Sequence, residues 1–291
     1  MKTASASSRT GLPDVQGLRV PERTMQLLRD MVSAHIGIRF DDGRIDLLFD
    51  RLAPLAIERG FDSMLDYYYL LKYDAAAADE WLRVMDALSV QETYFWREAD
   101  HFRALTTAIL PRLIAARHRS IRIWSIPCAT GEEPLSMAMA LEEAGAFNDA
   151  AIEIHASDGS EAALARAQKR RYGKRSFRQL AEPLRDKYFM RVDGKEEWTV
   201  NPELFARVTS WSRVNILDER ELAARAGCHV IFCRNLFIYF SPATVKEVVT
   251  RFARHMPSPG YLCVGAAESL LRTGAGFDLQ ELGGAYVYVK P

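Results

Sequence analysis

The chain has 291 residues, of which 48% are hydrophobic, and this is enough for one large domain or two moderate ones with an ordinary core. Its 38 basic and 38 acidic residues cancel, so bulk attraction to nucleic acid or to an anionic membrane is not indicated. Direct insertion into a membrane is not expected either, because nowhere does an apolar run reach about eighteen residues.

Residues 1–20 contain no apolar stretch of signal-peptide length, and we expect a disordered leader there. No two of the cysteines form a C-x-x-C pair. We interpret all of them as small buried hydrophobic side chains in a reducing compartment, not as disulfides or metal ligands. The sequence therefore predicts a cytoplasmic protein without a metal site. The cysteines are Cys128, Cys228, Cys233 and Cys263.

Helical spacing dominates residues 21–90. Apolar side chains recur every three or four positions, as at Leu48, Leu52 and Leu55, which places them on one face of a helix. This pattern predicts an all-helical N-terminal domain. A linker segment and a helix are predicted over 91–119.

Strand and helix patterns alternate over 120–291. Strands are predicted at IRIWSI, IEIHAS, Arg207–Ser212, His229–Cys233, Tyr261–Gly265 and Ala285–Val289, and helices after Gly131, from Glu161 and from Pro242. Such alternation favours an α/β fold with a parallel sheet and crossover helices. The alternation is interrupted at about 171–205, which is too long for an ordinary loop and carries the turn-forming pair Asp193-Gly194. We expect an inserted subdomain there.

The stretch HVIFCRNLFIYF, from His229 to Phe240, is a candidate site because an apolar run stops abruptly at Arg234 and Asn235. Ligands of parallel sheets bind just beyond the carboxyl ends of the strands. The alternative is that Arg234 is only a surface charge at a strand end.

The turn after the first predicted strand reads SIPCATGEEP. It has one glycine and the acids Glu132 and Glu133, which makes it unsuited to a pyrophosphate and suited to a cation or to hydroxyl groups. The alternative is that both acids only complement a helix dipole. Asp158, at the end of the second strand, is placed to accept hydrogen bonds from a ribose or to cap the next helix.

The segment QETYFWR, from Gln91 to Arg97, mixes polar groups with three adjacent aromatic residues at the boundary between the helical and α/β regions. Such boundaries often carry pockets. The alternative is an aromatic core with Arg97 in solvent.

The blocks QETYFWRE, IWSIPCATGEEPLSMAMAL, ASDGSEAALARAQKRRYG, VNILDE and IFCRNLFIYF occur in this order. In order and spacing they resemble the chemotaxis receptor methyltransferases, the protein-glutamate O-methyltransferases of the CheR type. The resemblance covers nearly the whole chain, about residues 21–289, and the combination of blocks is highly specific.

The resemblance implies a Rossmann-like methyltransferase domain, an N-terminal helical domain and a small antiparallel β-subdomain. It implies an enzyme that uses S-adenosyl-L-methionine, leaves S-adenosyl-L-homocysteine and converts chemoreceptor glutamates to γ-methyl esters. Its partner would be the cytoplasmic helical domain of membrane chemoreceptors. In some members the β-subdomain also grips the receptor's C-terminal tail.

The resemblance also implies roles for individual residues. Arg97 and Tyr239 match the pair that places the substrate carboxylate, Glu133 matches the first-loop acid and Asp158 the ribose-binding acid. The residues that match cofactor contacts are Gln91, Thr93, Arg97, Glu133, Asp158, Asn215, Ile216, Arg234 and Asn235.

Three positions depart from the family pattern. Pro127 stands where glycine or alanine is usual and removes one backbone N–H. Gln91 replaces an asparagine, and the segment Gly265–Glu268 lacks the usual serine before the acid. These departures leave open a regulatory module that binds the cofactor without transferring methyl, and a small-molecule methyltransferase is also conceivable. A nicotinamide oxidoreductase is disfavoured, because the first loop lacks G-x-G-x-x-G.

A glutamate carboxylate, with a reference pKa of about 4.3, is ionised near neutral pH and needs no general base before it accepts a methyl group. We therefore hypothesise that Arg97 orients the carboxylate and that Tyr239 donates to its other oxygen. A basic cluster is placed to meet an acidic receptor bundle, although a solvated basic face is the alternative. Its residues are Lys169, Arg170, Arg171, Lys174, Arg175 and Arg178.

Overall fold

The structure is a computed structural model that describes residues 17–21, 23–118 and 120–291. The predicted leader lies outside the described residues except for its last positions, from Gly17. The chain divides into two compact units, Met1–Leu88 and Ser89–Pro291. Within the described ranges, no helix is both long and apolar enough to cross a membrane.

The first unit is helical, as predicted. Its helices are α1 (Thr24–Ile36), α2 (Ile45–Glu58), α3 (Met64–Tyr73) and α4 (Ala77–Leu88), with a 3-10 turn at Asp42–Arg44. Gly37 caps the carboxyl end of α1, and its φ of 82° is the left-handed conformation that glycine adopts without strain. Ser63 is the N-cap of α3, and its side chain accepts a hydrogen bond from the backbone N–H of Leu65. The predicted helical faces are buried, and Leu48 and Leu52 are fully inaccessible.

A buried carboxylate lies inside this helical unit. Glu80, on α4, is fully inaccessible and accepts hydrogen bonds from Tyr67 Oη at 2.8 Å and Arg59 Nε at 2.6 Å. Arg83 Nη1 donates to the same carboxylate at 3.1 Å. Burial, together with the adjacent Glu80, raises the pKa of Tyr67 above its ordinary range. The cluster therefore satisfies a buried charge with donors from α3, from α4 and from just beyond α2.

The second unit begins with the linker and a continuous helical stretch, made of α5 (Ala99–Ala104), a π-helical turn (Leu105–Ile109) and α6 (Leu110–Ala115). The remaining helices are α7 (Glu132–Glu143), α8 (Ala146–Asp149), α9 (Glu161–Gln168), α10 (Glu182–Tyr188), α11 (Pro202–Ala206), α12 (Glu219–Ala223) and α13 (Pro242–His255). Short 3-10 turns occupy Lys174–Phe177 and Phe237–Tyr239. A linking helix is present where the sequence predicts one, but it ends at Ala115, before Arg119, its expected end.

The strands are β1 (Ile121–Ser125), β2 (Ile152–Asp158), β3 (Arg171–Gly173), β4 (Phe189–Arg191), β5 (Glu197–Val200), β6 (Val208–Arg213), β7 (Val230–Phe232), β8 (Gly260–Cys263), β9 (Asp278–Leu282) and β10 (Ala285–Lys290). In the described part of the chain they form a seven-stranded sheet in the order β6-β2-β1-β7-β8-β10-β9. Strands β6, β2, β1, β7 and β8 are mutually parallel, and β10 and β9 are antiparallel additions. The predicted α/β class with a parallel sheet is confirmed.

The register of the central strands aligns their carboxyl ends. Ser125, the last residue of β1, is paired with Ala156 of β2 on one side and with Phe232 of β7 on the other. The chain segments that follow these strands therefore leave the sheet at one edge. These segments are the three that the sequence singled out, after Ser125, at Asp158 and at Arg234.

The insertion forms a small antiparallel sheet of its own, of three strands in the described residues, in the order β3-β5-β4. Phe95, from the linker, is fully buried against its aromatic side chains. The ring of Phe95 lies 5.1 Å from that of Phe177 and 4.8 Å from those of Tyr172 and Phe189, measured between centroids. The predicted antiparallel insertion is confirmed, and its base shares one aromatic core with the linker.

The end of the large sheet differs from the prediction. The sequence predicts that the strand at Ala285–Val289 completes the sheet, but β9 pairs with it and forms the edge. Strand β9 reads DLQEL and is exposed except at Leu282. An exposed edge strand carries no apolar alternation, and this is why no sequence pattern predicted it.

Candidate active site

A cleft opens at the carboxyl edge of the parallel sheet, bounded by the linker, the first loop and the end of β7. It contains five of the residues predicted from the sequence. The residues that line it are Val90, Glu92, Thr93, Tyr94, Arg97, Phe102, Pro127, Ala129, Glu133, Arg234 and Asn235. The linker and the end of β7, which are more than 130 residues apart, therefore form walls of one cavity.

Arg234 is the buried centre of this cleft. Its side chain is 1% exposed and lies between two carboxylates, with Nη1 3.1 Å from Glu133 Oε2 and Nη2 3.2 Å from Glu98 Oε2. Nη2 also donates to the backbone carbonyl of Arg97 at 2.5 Å. The interpretation of Arg234 as a mere surface charge is wrong, because a buried arginine of this kind fixes the groups around it.

The position of Arg97 is set by its backbone. The residues on both sides of it, Trp96 and Glu98, have left-handed φ values of 67° and 53°. Such conformations cost about 1–3 kcal/mol each and persist where surrounding contacts impose them. Here the Arg97 carbonyl is held by Arg234, and the Trp96 N–H donates to Ser136 Oγ at 3.0 Å. The turn therefore presents the Arg97 side chain to the cleft.

The Arg97 guanidinium is half-buried and has few partners among the described residues. Its Nη1 donates to the backbone carbonyl of Glu92 at 2.8 Å, and its central carbon lies 5.6 Å from the centroid of the Tyr94 ring. No carboxylate of the described residues forms an ion pair with it. The cation is thus free to meet an anion that enters the cleft. The competing prediction of an aromatic core holds for Phe95 but not for Tyr94, which lines the cleft.

Glu133 does more than complement a helix dipole. It lies in the first turn of α7, and its Oε1 accepts a hydrogen bond from Ser125 Oγ at 2.7 Å while Oε2 faces Arg234. Burial raises the pKa of Glu133, and the positive charge of Arg234 opposes that rise. The carboxylate therefore joins the end of β1 to the end of β7.

Asp158 lies at the carboxyl end of β2, next to the first loop. It is buried, and its oxygens accept hydrogen bonds from the backbone N–H groups of Ala129 and Ser160, both at 2.8 Å. The capping interpretation of Asp158 is wrong, because Ser160 is the N-cap of α9 and accepts from the N–H of Ala163. Gln91 Nε2 lies 3.4 Å from Ser160 Oγ, so the linker reaches this position too.

The other predicted residues are placed near the same edge but outside the lining of the cleft. Asn215 follows β6, and the neighbouring Val214 N–H donates to the backbone carbonyl of Asp158 at 3.0 Å. Ile216 is buried in an apolar cluster, and Tyr239 packs half-buried against that same cluster. Of the proposed substrate-orienting pair, the structure thus brings only Arg97 into the cleft lining. The roles assigned to these residues stay predictions.

Sequence reasoning missed a group of polar residues that support the predicted ones. Glu98 lies 3.2 Å from Arg234 and accepts from Asn235 Nδ2 at 3.4 Å. His101 Nδ1 lies 3.6 Å from Glu98, and burial, followed by the charge of Arg234, lowers the pKa of His101 to about 4. The signal was present in READHF, where Glu98 directly follows the predicted arginine and His101 comes three residues later.

Glu268 is a second supporting carboxylate. Its Oε2 accepts from the backbone N–H groups of Gly265 at 2.6 Å and Asn235 at 2.8 Å. Its Oε1 accepts from the N–H of Ile238 at 3.3 Å. Asn235 has a left-handed φ of 60°, and Glu268 holds the backbone in that conformation. The acid of the GAAE segment therefore shapes the turn that follows β7.

Replacing Gly265 with alanine is expected to disturb this turn. A Cβ at this position would lie 2.5 Å from Asn235 Nδ2 and 2.9 Å from Glu268 Oε2, closer than real Cβ contacts. We expect affinity for S-adenosylhomocysteine to fall by about tenfold or more, corresponding to the loss of one charge-assisted contact. Titration calorimetry measures this affinity. Gly43→Ala, in the helical unit, is the control, because a Cβ there makes one ordinary contact, 3.7 Å from Asp41 Oδ1, and equal affinities in both variants would contradict the prediction.

Comparison with known proteins decides the family. The model described as "CheR methyltransferase, SAM binding domain" matches residues 91–282, and "CheR methyltransferase, all-alpha domain" matches residues 23–89. The chain belongs to the CheR methyltransferase family. Members of this family are S-adenosylmethionine-dependent methyltransferases, and the prediction of that activity and cofactor is confirmed.

Individual relatives align with this chain over most of their own length. Chemotaxis protein methyltransferase 2 of Vibrio cholerae is 31% identical over 90% of this chain and 91% of its own length. The chemotaxis protein methyltransferase of Salmonella typhimurium is 29% identical over 91% of this chain and 90% of its own. The probable biofilm formation methyltransferase WspC of Pseudomonas putida is 31% identical over 92% of this chain and 61% of its own.

The residues of this CheR-family cleft fit S-adenosylmethionine. One buried side-chain atom of the cleft lining, Arg234 Nε, has no hydrogen-bond partner among the described residues, and Glu98 Oε2 has none besides its ion pair with Arg234. The carboxylates of Glu98, Glu133 and Asp158 suit a ligand that carries a sulfonium, an ammonium and ribose hydroxyls. The small residues of the first loop let such a ligand approach the backbone, where Ala129 has a left-handed φ of 46°.

Proposed function

We propose that this methyltransferase transfers methyl groups to glutamate side-chain carboxylates of chemoreceptors, forming γ-methyl esters in the adaptation step of chemotaxis. The observation that carries the proposal is the half-buried Arg97 guanidinium, which enters the cleft without a carboxylate partner among the described residues. The names of the Vibrio and Salmonella relatives support a role in chemotaxis. The four buried free thiols are compatible with a cytoplasmic location.

An anionic acceptor also agrees with the lack of a general base. Among the described residues that line the cleft there is no histidine or lysine. Of its two carboxylates, Glu133 is occupied by Ser125 and Arg234, and Glu92 is ion-paired with Arg178. An alcohol or an amine acceptor would have to lose a proton during the transfer. A carboxylate has a reference pKa of about 4.3 and arrives already ionised.

In the proposed reaction the protein binds the cofactor and the acceptor carboxylate, orients them relative to each other and excludes water from the cleft. S-adenosylmethionine supplies an electrophilic methyl group on a cationic sulfur when it is bound. Arg97 holds the acceptor carboxylate by charge-assisted hydrogen bonds, and Phe102 and Pro127 provide apolar walls that limit hydration. Orientation of this kind is worth about 7–11 kcal/mol in favourable intramolecular reactions. We assign Tyr239 to the second carboxylate oxygen.

The experiment that tests this proposal is methyl transfer to receptor-containing membranes with methyl-labelled S-adenosylmethionine, followed by mild alkali. We expect alkali to release the label as methanol, because methyl esters hydrolyse under these conditions. Alkali-stable label would indicate N-methylation and overturn the proposal. Membranes whose receptor glutamates are replaced by alanine are the matched control and should take up no label.

The basic cluster at the base of the insertion is proposed to meet the acidic helical region of the receptor. Lys169, Arg171, Lys174 and Arg175 are exposed, whereas Arg178 is paired with Glu92 at 2.5 Å. Attraction between exposed charges weakens beyond a Debye length of about 8 Å at physiological ionic strength. Receptor binding should therefore weaken as salt is added, and binding that is insensitive to salt would favour a merely solvated face.

The receptor's C-terminal tail is proposed to add to the exposed edge of the small sheet as a further strand. Strand β4 is an edge strand, and Met190 on it is 55% exposed. The N–H of Val192 donates to Glu197 within the sheet, so the alternating pattern of antiparallel pairs turns the N–H of Arg191 outward. Main-chain hydrogen bonds to such an edge supply affinity for extended peptides.

Replacing Arg191 with proline is expected to weaken tail binding by about tenfold, because one outward donor is lost and no internal one. Titration of a receptor tail peptide measures this affinity. The control is Arg191→Ala, which removes the same side chain but keeps the N–H. Equal affinities of the two variants would contradict docking at this edge.

A further inference from the structure

Glu132 is a buried carboxylate that the reaction described above does not use. It is the first residue of α7 and is 3% exposed. Its oxygens accept hydrogen bonds from Thr130 Oγ1 at 2.6 Å and Ser176 Oγ at 2.9 Å. No cation of the described residues lies within 4 Å of it.

A buried carboxylate without an adjacent cation is costly, and an apolar side chain of similar size would fill the same space. Burial raises the pKa of Glu132, and the hydroxyls of Thr130 and Ser176 oppose the rise. What the carboxylate achieves, and an apolar side chain would not, is to bind two hydroxyl groups at once. These hydroxyls come from segments 46 residues apart in the chain.

The first of these segments is the loop between β1 and α7, which contributes Pro127 and Ala129 to the cleft. The insertion holds this loop at a second point, because Tyr172 Oη donates to the carbonyl of Thr130 at 3.2 Å. Gly131 is enclosed as well, since a Cβ there would lie 3.1 Å from the same Tyr172 hydroxyl. The loop is thus packed directly against the base of the insertion.

The second segment, 172–178, forms the base of the insertion and also contacts the linker. The Phe95 N–H donates to the carbonyl of Ser176 at 2.8 Å. The guanidinium of Arg178 lies 3.6 Å from the centroid of the Tyr94 ring, which lines the cleft. The segment therefore supports both the first loop and the linker, the two walls that meet at the cleft.

We propose that Glu132 is a positioning residue that joins the first loop to the base of the insertion, so that binding of the cofactor orders both segments together. The proposal depends on cofactor binding, which the family shares, and does not depend on the identity of the methyl acceptor. A failure of glutamate methylation would therefore leave it unaffected.

Calorimetric titration with S-adenosylhomocysteine tests the contribution of Glu132 to binding. We expect Glu132→Ala to raise Kd by about tenfold or more, since hydrogen bonds to a charged group are lost. Glu132→Gln should recover most of the affinity, because its amide accepts from one hydroxyl and donates to the other, which rotates to accept. Glu203→Gln is the matched control, as Glu203 lies in the first turn of α11 and is exposed.

A double-mutant cycle of Glu132→Ala with Ser176→Ala separates a shared contact from two independent losses. We expect the effects on Kd to be non-additive, because either change breaks the same hydrogen bond. Additive effects would overturn the proposal. If Glu132→Ala does not fold, the cycle is run with Glu132→Leu, which fills a similar space and also removes the acceptor of the Ser176 hydrogen bond.

Hydrogen exchange gives a readout that a simple loss of stability would not reproduce. In the wild type, saturating S-adenosylhomocysteine should slow exchange at 128–131 and also at 172–178. In Glu132→Ala, at a ligand concentration that restores saturation, protection should persist at 128–131 and be lost at 172–178. Unchanged protection at 172–178 in this variant, or no ligand effect there in the wild type, would overturn the proposal.

Discussion

Replacing Arg97 with alanine is expected to lower methyl transfer to receptors by about 100-fold, while the Kd for S-adenosylhomocysteine changes by less than about threefold. The physical reason is that the backbone and the side chain of Arg97 have different roles. Its backbone carbonyl is held by Arg234 and survives the substitution, whereas its guanidinium, which meets the acceptor carboxylate, is removed. Steady-state kinetics and calorimetry measure the two quantities separately.

Two further variants make the Arg97 result interpretable. Arg97→Lys keeps the charge but cannot form bidentate hydrogen bonds to a carboxylate. We expect its turnover to lie between those of Arg97→Ala and the wild type. Arg220→Ala removes one exposed arginine elsewhere in the same unit and should leave both quantities unchanged. Turnover of Arg97→Ala equal to wild type would remove Arg97 from the proposed mechanism.

Replacing Arg234 with methionine is expected to destabilise the protein by about 3–5 kcal/mol and to abolish binding of S-adenosylhomocysteine. Methionine fills a similar space but leaves Glu133 and Glu98 close together without the cation between them. Urea unfolding measures the stability. Arg185→Met is the control, because its ion pairs with Glu182 and Asp186 involve exposed carboxylates and should cost less than about 1 kcal/mol.

The loss of stability in Arg234→Met should depend on pH in a definite direction. Burial already raises the pKa of Glu133 above its ordinary value of 4.5, and removing Arg234 removes the charge that opposes this rise. The folded variant then holds a proton more tightly than the unfolded chain, so its free energy of unfolding falls as pH rises from 4.5 toward the folded-state pKa. The deficit relative to wild type should be smallest at acid pH, and a deficit independent of pH would contradict this explanation.

Much of the fold could be read from short-range patterns. The run Val230–Cys233 is apolar without alternation, as expected of a strand covered on both faces, and β7 lies there at the centre of the sheet. The helical spacing of the first unit and the turn pair in the insertion were equally informative. Strand β9 was not predicted, because an exposed edge strand needs no apolar alternation.

The candidate site was only partly predictable for a different reason. Arg234 and Asn235 stood out because polar residues interrupt an apolar run, and the resemblance supplied Thr93, Arg97 and Glu133, which line the same cleft. The partners of the supporting residues Glu98, Glu132 and Glu268 could not be predicted, because an acid in a loop or at a helix start is ordinary in a sequence. The position of Glu98 directly after Arg97 was the one hint.

The sequence by itself determined the class of fold, the family and the places where strands end in polar residues, because each of these follows from local pattern or from motifs in fixed order. Only the tertiary structure decided which carboxylate meets which partner. Arg234 lies between Glu133 and Glu98, and Glu132 meets Ser176 across 44 residues. Such pairs depend on the register of parallel strands and on the packing of the insertion, which bring distant segments within about 3 Å, a distance that no local pattern encodes.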